Sequence, residues 1–212
     1  MQFPSVSDIA VFRPQLSSNL AIYLIVRWFV MFLLLLGSAL GQRSKGVEVR
    51  GEYRNRAGYA YRVTVPDGLI GYRDPAPAPA HGFALDLGPT DEGRISVDGS
   101  YNAAEYPGAR EALKGTVSWI TGKASSVEEP QFRTVALGGL RTVELVVRYR
   151  DKKTKGARTC RSVAAIRHIK PTDTMGIVYE IILDTSAERL AKDTVIYESI
   201  VNSFRLDPLT EY

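Results

Sequence analysis

The chain has little material for metal or disulfide chemistry, since its 212 residues include one cysteine and two histidines. A single cysteine cannot form an intramolecular disulfide or supply the thiolates of a cysteine-based zinc site. The two histidines, His81 and His168, leave little room for a metal site or a catalytic triad. We therefore expect no metal and no cofactor.

Recognisable catalytic motifs are also lacking. No G-x-S-x-G elbow surrounds Ser100, and nothing in the sequence positions an oxyanion hole near it. Cys160 alternates with Ser162 and Ala164, a pattern typical of a small strand residue rather than of an activated nucleophile. We expect the protein not to be an enzyme.

What is present is an average globular composition. Hydrophobic residues make up 45% of the chain and charged residues 24%, which excludes wholesale disorder and a multi-span membrane protein. The length suits one domain or at most two small ones.

One strongly apolar segment, Leu20 to Leu40, stands out from this average, with Arg27 as its only charge. Small residues at Ala39 and Gly41 occupy the −3 and −1 positions that signal peptidase requires. An arginine, a short apolar run and a small-x-small site together predict a signal peptide, residues 1–41, cleaved after Gly41. The rest of the chain is then secreted or periplasmic.

An uncleaved anchor is the alternative interpretation of the same segment. About 21 helical residues span a hydrocarbon core of about 30 Å, which would leave a single-pass protein facing outside. Contact with a membrane is then expected only through residues 20–40. The long leader before Arg27 also leaves a translation start near Val26 open.

Beyond residue 41 the pattern predicts a linker over residues 42–56, one α+β domain over 57–206 and a tail over 207–212. Early strands are predicted at Tyr59–Val65, Phe83–Leu87 and Arg94–Val97 from alternating apolar residues. A helix between Pro107 and Ser126 follows, with an apolar face at Ala109, Ala112, Leu113, Thr116, Val117 and Ile120.

Four strand patterns separated by turns then fill the region from Gln131 to Asp184. They are Phe132–Leu137, Arg141–Arg150, Arg158–Ile169 and Ile177–Leu183. Short loops make neighbouring strands antiparallel, so this region predicts a four-stranded meander. A closing amphipathic helix follows a predicted capping box at Thr185–Glu188. Clustered strands with helices before and after them indicate an antiparallel sheet flanked by helices on its faces.

The end of this domain resembles PsbP-like domains. The residues that carry the resemblance are the strand and Thr-Ser-capped helix of Ile177–Leu206, with its terminal Ser203, Phe204 and Leu206, and the early Pro66-Asp67-Gly68 turn. The resemblance implies a PsbP-like α+β sandwich that acts as a binding or accessory module. Members bind photosystem II or the small GTPase Ran, or are exported bacterial proteins of unknown role. The resemblance supplies no functional residues.

Positive charge is concentrated in the segment from Arg141 to Lys170, which has ten basic and two acidic residues. We call residues 148–161 the basic hairpin; its binding candidates are Lys152, Lys153, Lys155 and Arg158. Such a hairpin can contact anionic lipid headgroups or polysaccharide. Nucleic acid is not expected, since no recognition helix or stacking motif accompanies the charge. The alternative is a solvated hairpin that protects its edge and pairs with the acidic closing helix.

A second group of candidates lies in loops rich in glycine and tyrosine. It comprises Tyr72, His81, Asp98 and Tyr101. Loops of this composition form ligand sites on rigid scaffolds, although turn chemistry alone explains Asp98-Gly99 and Asn102.

The sequence therefore predicts an exported, non-catalytic binding or accessory domain whose partner is an unidentified envelope or extracellular protein or an anionic surface. Two alternatives stay open. One is a small hydrolase or ligand-binding enzyme built on the loops of His81 and Asp98. The other is a membrane-tethered envelope domain that binds anionic surfaces through the basic hairpin.

Overall fold

The structure, a computed structural model, describes residues 46–56, 58–74, 81–88, 92–169 and 176–209. The predicted signal or anchor segment, residues 1–41, lies outside these ranges, and so do residues 210–212 of the predicted tail. Within the described residues, no helix is both long enough and apolar enough to cross a membrane.

Strands dominate the described part of the chain, and two helices interrupt them. The elements in chain order are β1 (Val47–Val49), β2 (Glu52–Asn55), β3 (Tyr61–Thr64), β4 (Gly71–Arg73), β5 (Gly82–Asp86), β6 (Gly93–Tyr101), α1 (Ala109–Lys123), β7 (Ala124–Val127), β8 (Gln131–Leu137), β9 (Leu140–Asp151), β10 (Ala157–His168), β11 (Gly176–Ser186), α2 (Leu190–Ser203) and β12 (Arg205–Leu206).

Two antiparallel sheets result. The main sheet has the strand order β1-β4-β5-β6-β11-β10-β9-β7, and β8 pairs with the same edge of β9 as β7. The small sheet has the order β12-β3-β2. The predicted meander is confirmed, since β8, β9, β10 and β11 are neighbours in that order. Its first turn uses Gly138 and Gly139 at φ of 59° and 87°, the left-handed values that a two-residue hairpin turn needs.

The two faces of the main sheet are covered by different layers. On one face, α1 packs against β9 and β10 around Leu113, Ile120, Leu145 and Val147. On the other face, α2 and the small sheet cover β11 and its neighbours, and they bury a larger, aromatic core. The predicted fold class, an α+β fold with helices flanking an antiparallel sheet, is confirmed.

Three local predictions are wrong. The predicted linker at residues 42–56 contains β1 and β2, which pair with β4 and β3. The predicted helix end at Ser125–Ser126 is strand β7, which pairs with β9. Short polar segments of this kind become strands because a neighbouring edge supplies their hydrogen bonds, a contribution that local pattern does not contain.

The predicted capping box at Thr185–Glu188 is also absent. Thr185 and Ser186 are the last residues of β11, and α2 begins only at Leu190. The Thr185 hydroxyl instead donates to Asp193 Oδ2 at 2.6 Å, inside the protein. Pairing of β11 with β6 and β10 extends the strand through the residues that would have capped the helix.

Candidate functional site

An open groove runs along α1, on the face of the main sheet that this helix only partly covers. Because α1 sits on β9 and β10, the same face of β6 and β11 is left uncovered beside it. The groove has a volume of about 830 Å³. We call it the α1 groove.

Alternation along β11 builds the floor of this groove. Val178, Glu180, Ile182 and Asp184 all line it, and the six residue-to-residue steps from the first to the last extend over about 20 Å. Ser96 and Ser100 continue the floor on β6. Apolar and polar side chains thus alternate along the floor.

Exposed aromatic side chains form the walls. Trp119 on α1 is 51% exposed and lines the α1 groove together with Tyr106. Tyr101 at the end of β6 also borders the groove, but its ring packs on Tyr59 with ring centres 5.3 Å apart. Large exposed aromatics beside a groove are available to pack against a ligand.

A carboxyl group lies near the middle of the floor. Glu180 Oε1 accepts hydrogen bonds from Thr116 Oγ1 of α1 at 2.5 Å and from Ser162 Oγ of β10 at 2.7 Å. Burial raises the pKa of this carboxyl above its usual range, against the effect of the two hydroxyl donors. Its other oxygen, Oε2, has no hydrogen-bond partner among the described residues, which leaves it available to a ligand in the groove.

A charged cluster closes one end. Asp184 accepts from Arg158 Nε at 3.0 Å and from the Tyr149 hydroxyl at 2.8 Å, and it also pairs with Lys123. Lys123 Nζ lies 3.4 Å from the centre of the Trp119 ring, a cation–π contact. Burial and the charge of Asp184 raise the pKa of the Tyr149 hydroxyl.

Three of the residues predicted from the sequence line this groove, and they come from both predicted groups. Lys153 and Arg158 of the basic hairpin are at the charged end, and Tyr101 is at the other. Lys152 and Lys155 are exposed at the hairpin tip, where Lys152 Nζ donates to the Gly122 carbonyl of α1 at 3.0 Å.

Much of the charge of the basic hairpin is neutralised within the protein. Arg158 pairs with Asp184, and Arg161 pairs with buried Glu144 at 2.9 Å and with Glu198 of α2 at 3.1 Å. The latter contact is the pairing with the closing helix that the sequence left open. Binding of anionic surfaces by this hairpin stays a prediction, with fewer unpaired charges to support it than the sequence indicates.

The remaining predicted residues are not assembled into a catalytic site. His81 stacks on Tyr59 with ring centres 5.2 Å apart, and its Nδ1 lies 3.2 Å from the Gly99 carbonyl oxygen. No hydrogen bond joins His81 to Asp98 or Ser100 in the described part of the chain. Tyr72 is exposed on β4, and it does not line the α1 groove.

Asp98 lies on β6 directly opposite Glu180 in the register of β6 with β11. Burial raises the pKa of Asp98, while the nearby His81 lowers it. Alternation places Asp98 on the same face of β6 as Ser96 and Ser100. Asp98 and Tyr101 were predicted to lie in a loop, but both belong to β6, and of the two only Tyr101 lines the groove.

Sequence reasoning missed Trp119, Glu180 and Asp184. A signal for Trp119 was present, because it follows Ala112 and Thr116 of the predicted apolar face at helical spacing. Glu180 stands as a single carboxyl inside the apolar strand Ile177–Leu183, which also marks it.

The described ranges give little support for metal binding or for a reactive cysteine. No group of three or more histidine, cysteine, aspartate or glutamate side chains there is arranged to hold a metal ion. Cys160 is buried in β10, and burial raises the pKa of its thiol, which disfavours the reactive thiolate.

Comparisons with known proteins give a fold and no function. No protein-family model matches the chain, and no curated protein matches its sequence. Among solved structures it is similar to LpqN of Mycobacterium tuberculosis, which is involved in cell envelope biogenesis, with 14% identity over 76% of this chain and 91% of LpqN, at a TM-score of 0.52. It is also similar to the cyanobacterial PsbP of Synechocystis sp. PCC 6803, with 14% identity over 78% of this chain and 96% of that one, at a TM-score of 0.47.

The match with LpqN shows a shared fold and nothing more, because sequence identity this low carries no information on activity. The sequence resembles PsbP-like domains, and one PsbP protein is among the matching structures.

Proposed function

We propose that this chain is an exported accessory domain without catalytic activity, and that it binds its ligand in the α1 groove. The observation that carries the proposal is the groove itself: about 830 Å³ of open space between α1 and the sheet. Cavities of this size that are lined by apolar and aromatic residues with a few polar groups are typical ligand sites.

The lining indicates the shape and chemistry of the ligand. Trp119 offers a flat apolar surface, and Val178 and Ile182 offer apolar side chains on the floor. Glu180 offers a hydrogen-bonding oxygen halfway along. An elongated ligand with apolar or ring-shaped parts and at least one central polar group matches this arrangement.

Export is proposed from the sequence of residues 1–41. The apolar run and the small residues Ala39 and Gly41 support it. LpqN, which has the same fold, is involved in cell envelope biogenesis, and this is consistent with an envelope location for the present chain.

Filling the groove tests the binding site. Gly115 of α1 lines the groove, and a Cβ atom at this position meets only the Tyr106 hydroxyl, at 3.8 Å. Gly115→Leu therefore inserts a side chain into the groove without backbone strain. Gly122→Leu is the matched control, because it makes the same change in the same helix, where a Cβ atom has open space around it.

The probe is 1-anilinonaphthalene-8-sulfonate, a fluorescent molecule with apolar rings, titrated against the purified full chain. We expect the wild type and Gly122→Leu to bind one more probe molecule than Gly115→Leu, with all three proteins equally folded by circular dichroism. Identical titrations for the three proteins would rule out the α1 groove as the binding site.

Export has its own test. N-terminal sequencing of the protein from its producing cells should give the sequence Gln42-Arg43-Ser44-Lys45. A protein that is found in the membrane fraction and still carries residues 20–40 would support the anchored form instead of the secreted or periplasmic one. A protein confined to the cytoplasm would contradict export.

A further inference from the structure

A second cavity, separate from the α1 groove, lies at the small sheet. It has a volume of about 480 Å³ and is formed by residues 54–56 at the end of β2, by residues between 58 and 62, and by residues 207–209 after β12. Arg54, Arg56, Arg62 and Asp207 line it. We call it the arginine cleft.

The charges in this cleft do not balance. Arg54 Nε and Arg62 Nε lie 3.4 Å and 3.5 Å from the two carboxylate oxygens of Asp207, and Arg54 also pairs with Glu52 at 3.3 Å. Arg167 donates to the main-chain oxygen of Asp207 at 2.7 Å. Three guanidinium groups and one carboxylate line the cleft, which leaves a local charge of about +2.

The unused hydrogen-bond donors belong mainly to Arg56 and Arg62. Arg56 is exposed and forms no ion pair with any described residue. Arg62 contacts Asp207 only at 3.5 Å and through Nε, so both of its terminal nitrogens remain available within the described part of the chain. Each guanidinium is a planar set of five donors that matches the oxygens of a phosphate or carboxylate.

The backbone around the cleft is held in an unusual conformation. Gly58 and Ala60 both line the cleft, and both have positive φ values, 95° and 46°. Unlike Gly58, Ala60 has a Cβ atom, so its positive φ value is sterically unfavourable. The Ala60 carbonyl accepts a hydrogen bond from the Asp207 amide at 2.9 Å. Strained positions of this kind are concentrated at ligand sites.

We propose that the arginine cleft binds a phosphate group, a site distinct from the α1 groove. A doubly charged phosphate neutralises the excess charge of the cleft, and Arg56 and Arg62 bind its oxygens in pairs. The cleft is larger than one phosphate, so the group is carried by a larger molecule, which is either a phospholipid headgroup or a soluble phosphate ester.

The variant that tests this site is Arg56→Gln, since Arg56 has no ion-pair partner to lose among the described residues and the variant should fold as the wild type does. Arg148→Gln is the control. It removes the same charge from an exposed arginine on β9 that pairs with Glu128 and lines neither cavity.

Inorganic phosphate is titrated into the purified full chain at constant ionic strength, and the melting temperature is recorded, since a ligand of the folded state raises it. The wild type and Arg148→Gln should be stabilised more by phosphate than by chloride. In Arg56→Gln the apparent affinity should fall about tenfold, the loss expected for one charge-assisted hydrogen-bonded pair. An equal response of all three proteins, or no response of the wild type, would overturn the proposal.

Vesicles distinguish the two sources of phosphate. Phosphatidylcholine vesicles with and without phosphatidic acid are mixed with the same three proteins and floated on a density gradient. Co-flotation that depends on phosphatidic acid and is lost in Arg56→Gln assigns the site to a headgroup. Phosphate binding without such flotation assigns it to a soluble phosphate ester.

Discussion

The two faces of β11 differ in what covers them. Ile177, Tyr179, Ile181 and Leu183 point to the α2 face, and each is 0% exposed. Their neighbours Val178, Glu180, Ile182 and Asp184 point to the α1 face and line the groove. One strand therefore supplies both fully buried residues of the larger core and the floor of the candidate binding site.

The difference follows from the layers on each side. On the α2 face, a helix and the small sheet together close over the strand, and the rings of Tyr61, Tyr179 and Phe204 lie within 5.2 to 5.8 Å of one another. On the α1 face, a single helix packs on β9 and β10 and leaves the groove open over β6 and β11. The comparison assigns stability mainly to one face and ligand binding to the other.

The largest expected effect is on the aromatic core. Phe204→Ala removes a fully buried ring and should lower the free energy of unfolding by about 3–5 kcal/mol. Trp119→Ala on the groove side should lower it by about 1 kcal/mol or less, because half of that side chain is already exposed. Urea unfolding followed by circular dichroism measures both. Similar losses for the two variants would contradict the division between the faces.

The next effect concerns the charged end of the groove. Asp184→Asn leaves Lys123 and Arg158 without their carboxylate and should cost about 2–3 kcal/mol in the same experiment. Asp86→Asn is the control, since Asp86 pairs with Arg94 at 3.5 Å with both side chains 54% exposed, and should cost about 0.5 kcal/mol or less. A loss at Asp184 as small as that of the control would mean that this end of the groove is solvated.

The smallest effect concerns pH. The pKa of Glu180 in the folded chain is raised by burial above its ordinary value of 4.5. At a pH between this ordinary pKa and the higher pKa of the folded chain, the folded state holds a proton that the unfolded state has released. The free energy of unfolding therefore falls as the pH rises through this window.

Glu180→Gln removes this titration. The stability of the variant relative to the wild type should therefore increase as the pH rises above about 4.5 and become constant above the folded pKa of Glu180. Exposed Glu128→Gln serves as the control. Parallel profiles for wild type and Glu180→Gln, measured by urea unfolding from pH 4 to 8, would show that the carboxyl is solvated.

The meander and the closing helix could be predicted because their signals are local. Alternation over Arg141–Arg150 and the Gly138-Gly139 turn specify a hairpin without reference to the rest of the chain. Strands β1, β2 and β7 could not be predicted in this way. They are short and polar, and each depends on the edge of another strand for its hydrogen bonds.

For the candidate sites the outcome differs by residue. The sequence pointed to Arg158 and Tyr101, which line the groove, because charge density and loop composition are visible locally. It overstated the free charge of the hairpin, since the partners of Arg158 and Arg161 lie on β11, β9 and α2. It passed over Arg54 and Arg56 altogether, because they lie in the predicted linker.

The sequence by itself determined the fold class, the antiparallel meander and the scarcity of catalytic side chains, since periodicity, turn residues and composition are properties of neighbouring residues. Only the tertiary structure decided which charges are neutralised and where space remains. Asp184 lies 26 residues from Arg158, and Asp207 meets Arg62 from the far end of the domain. A groove or a cleft is the gap that packing leaves between distant elements, and no local pattern records it.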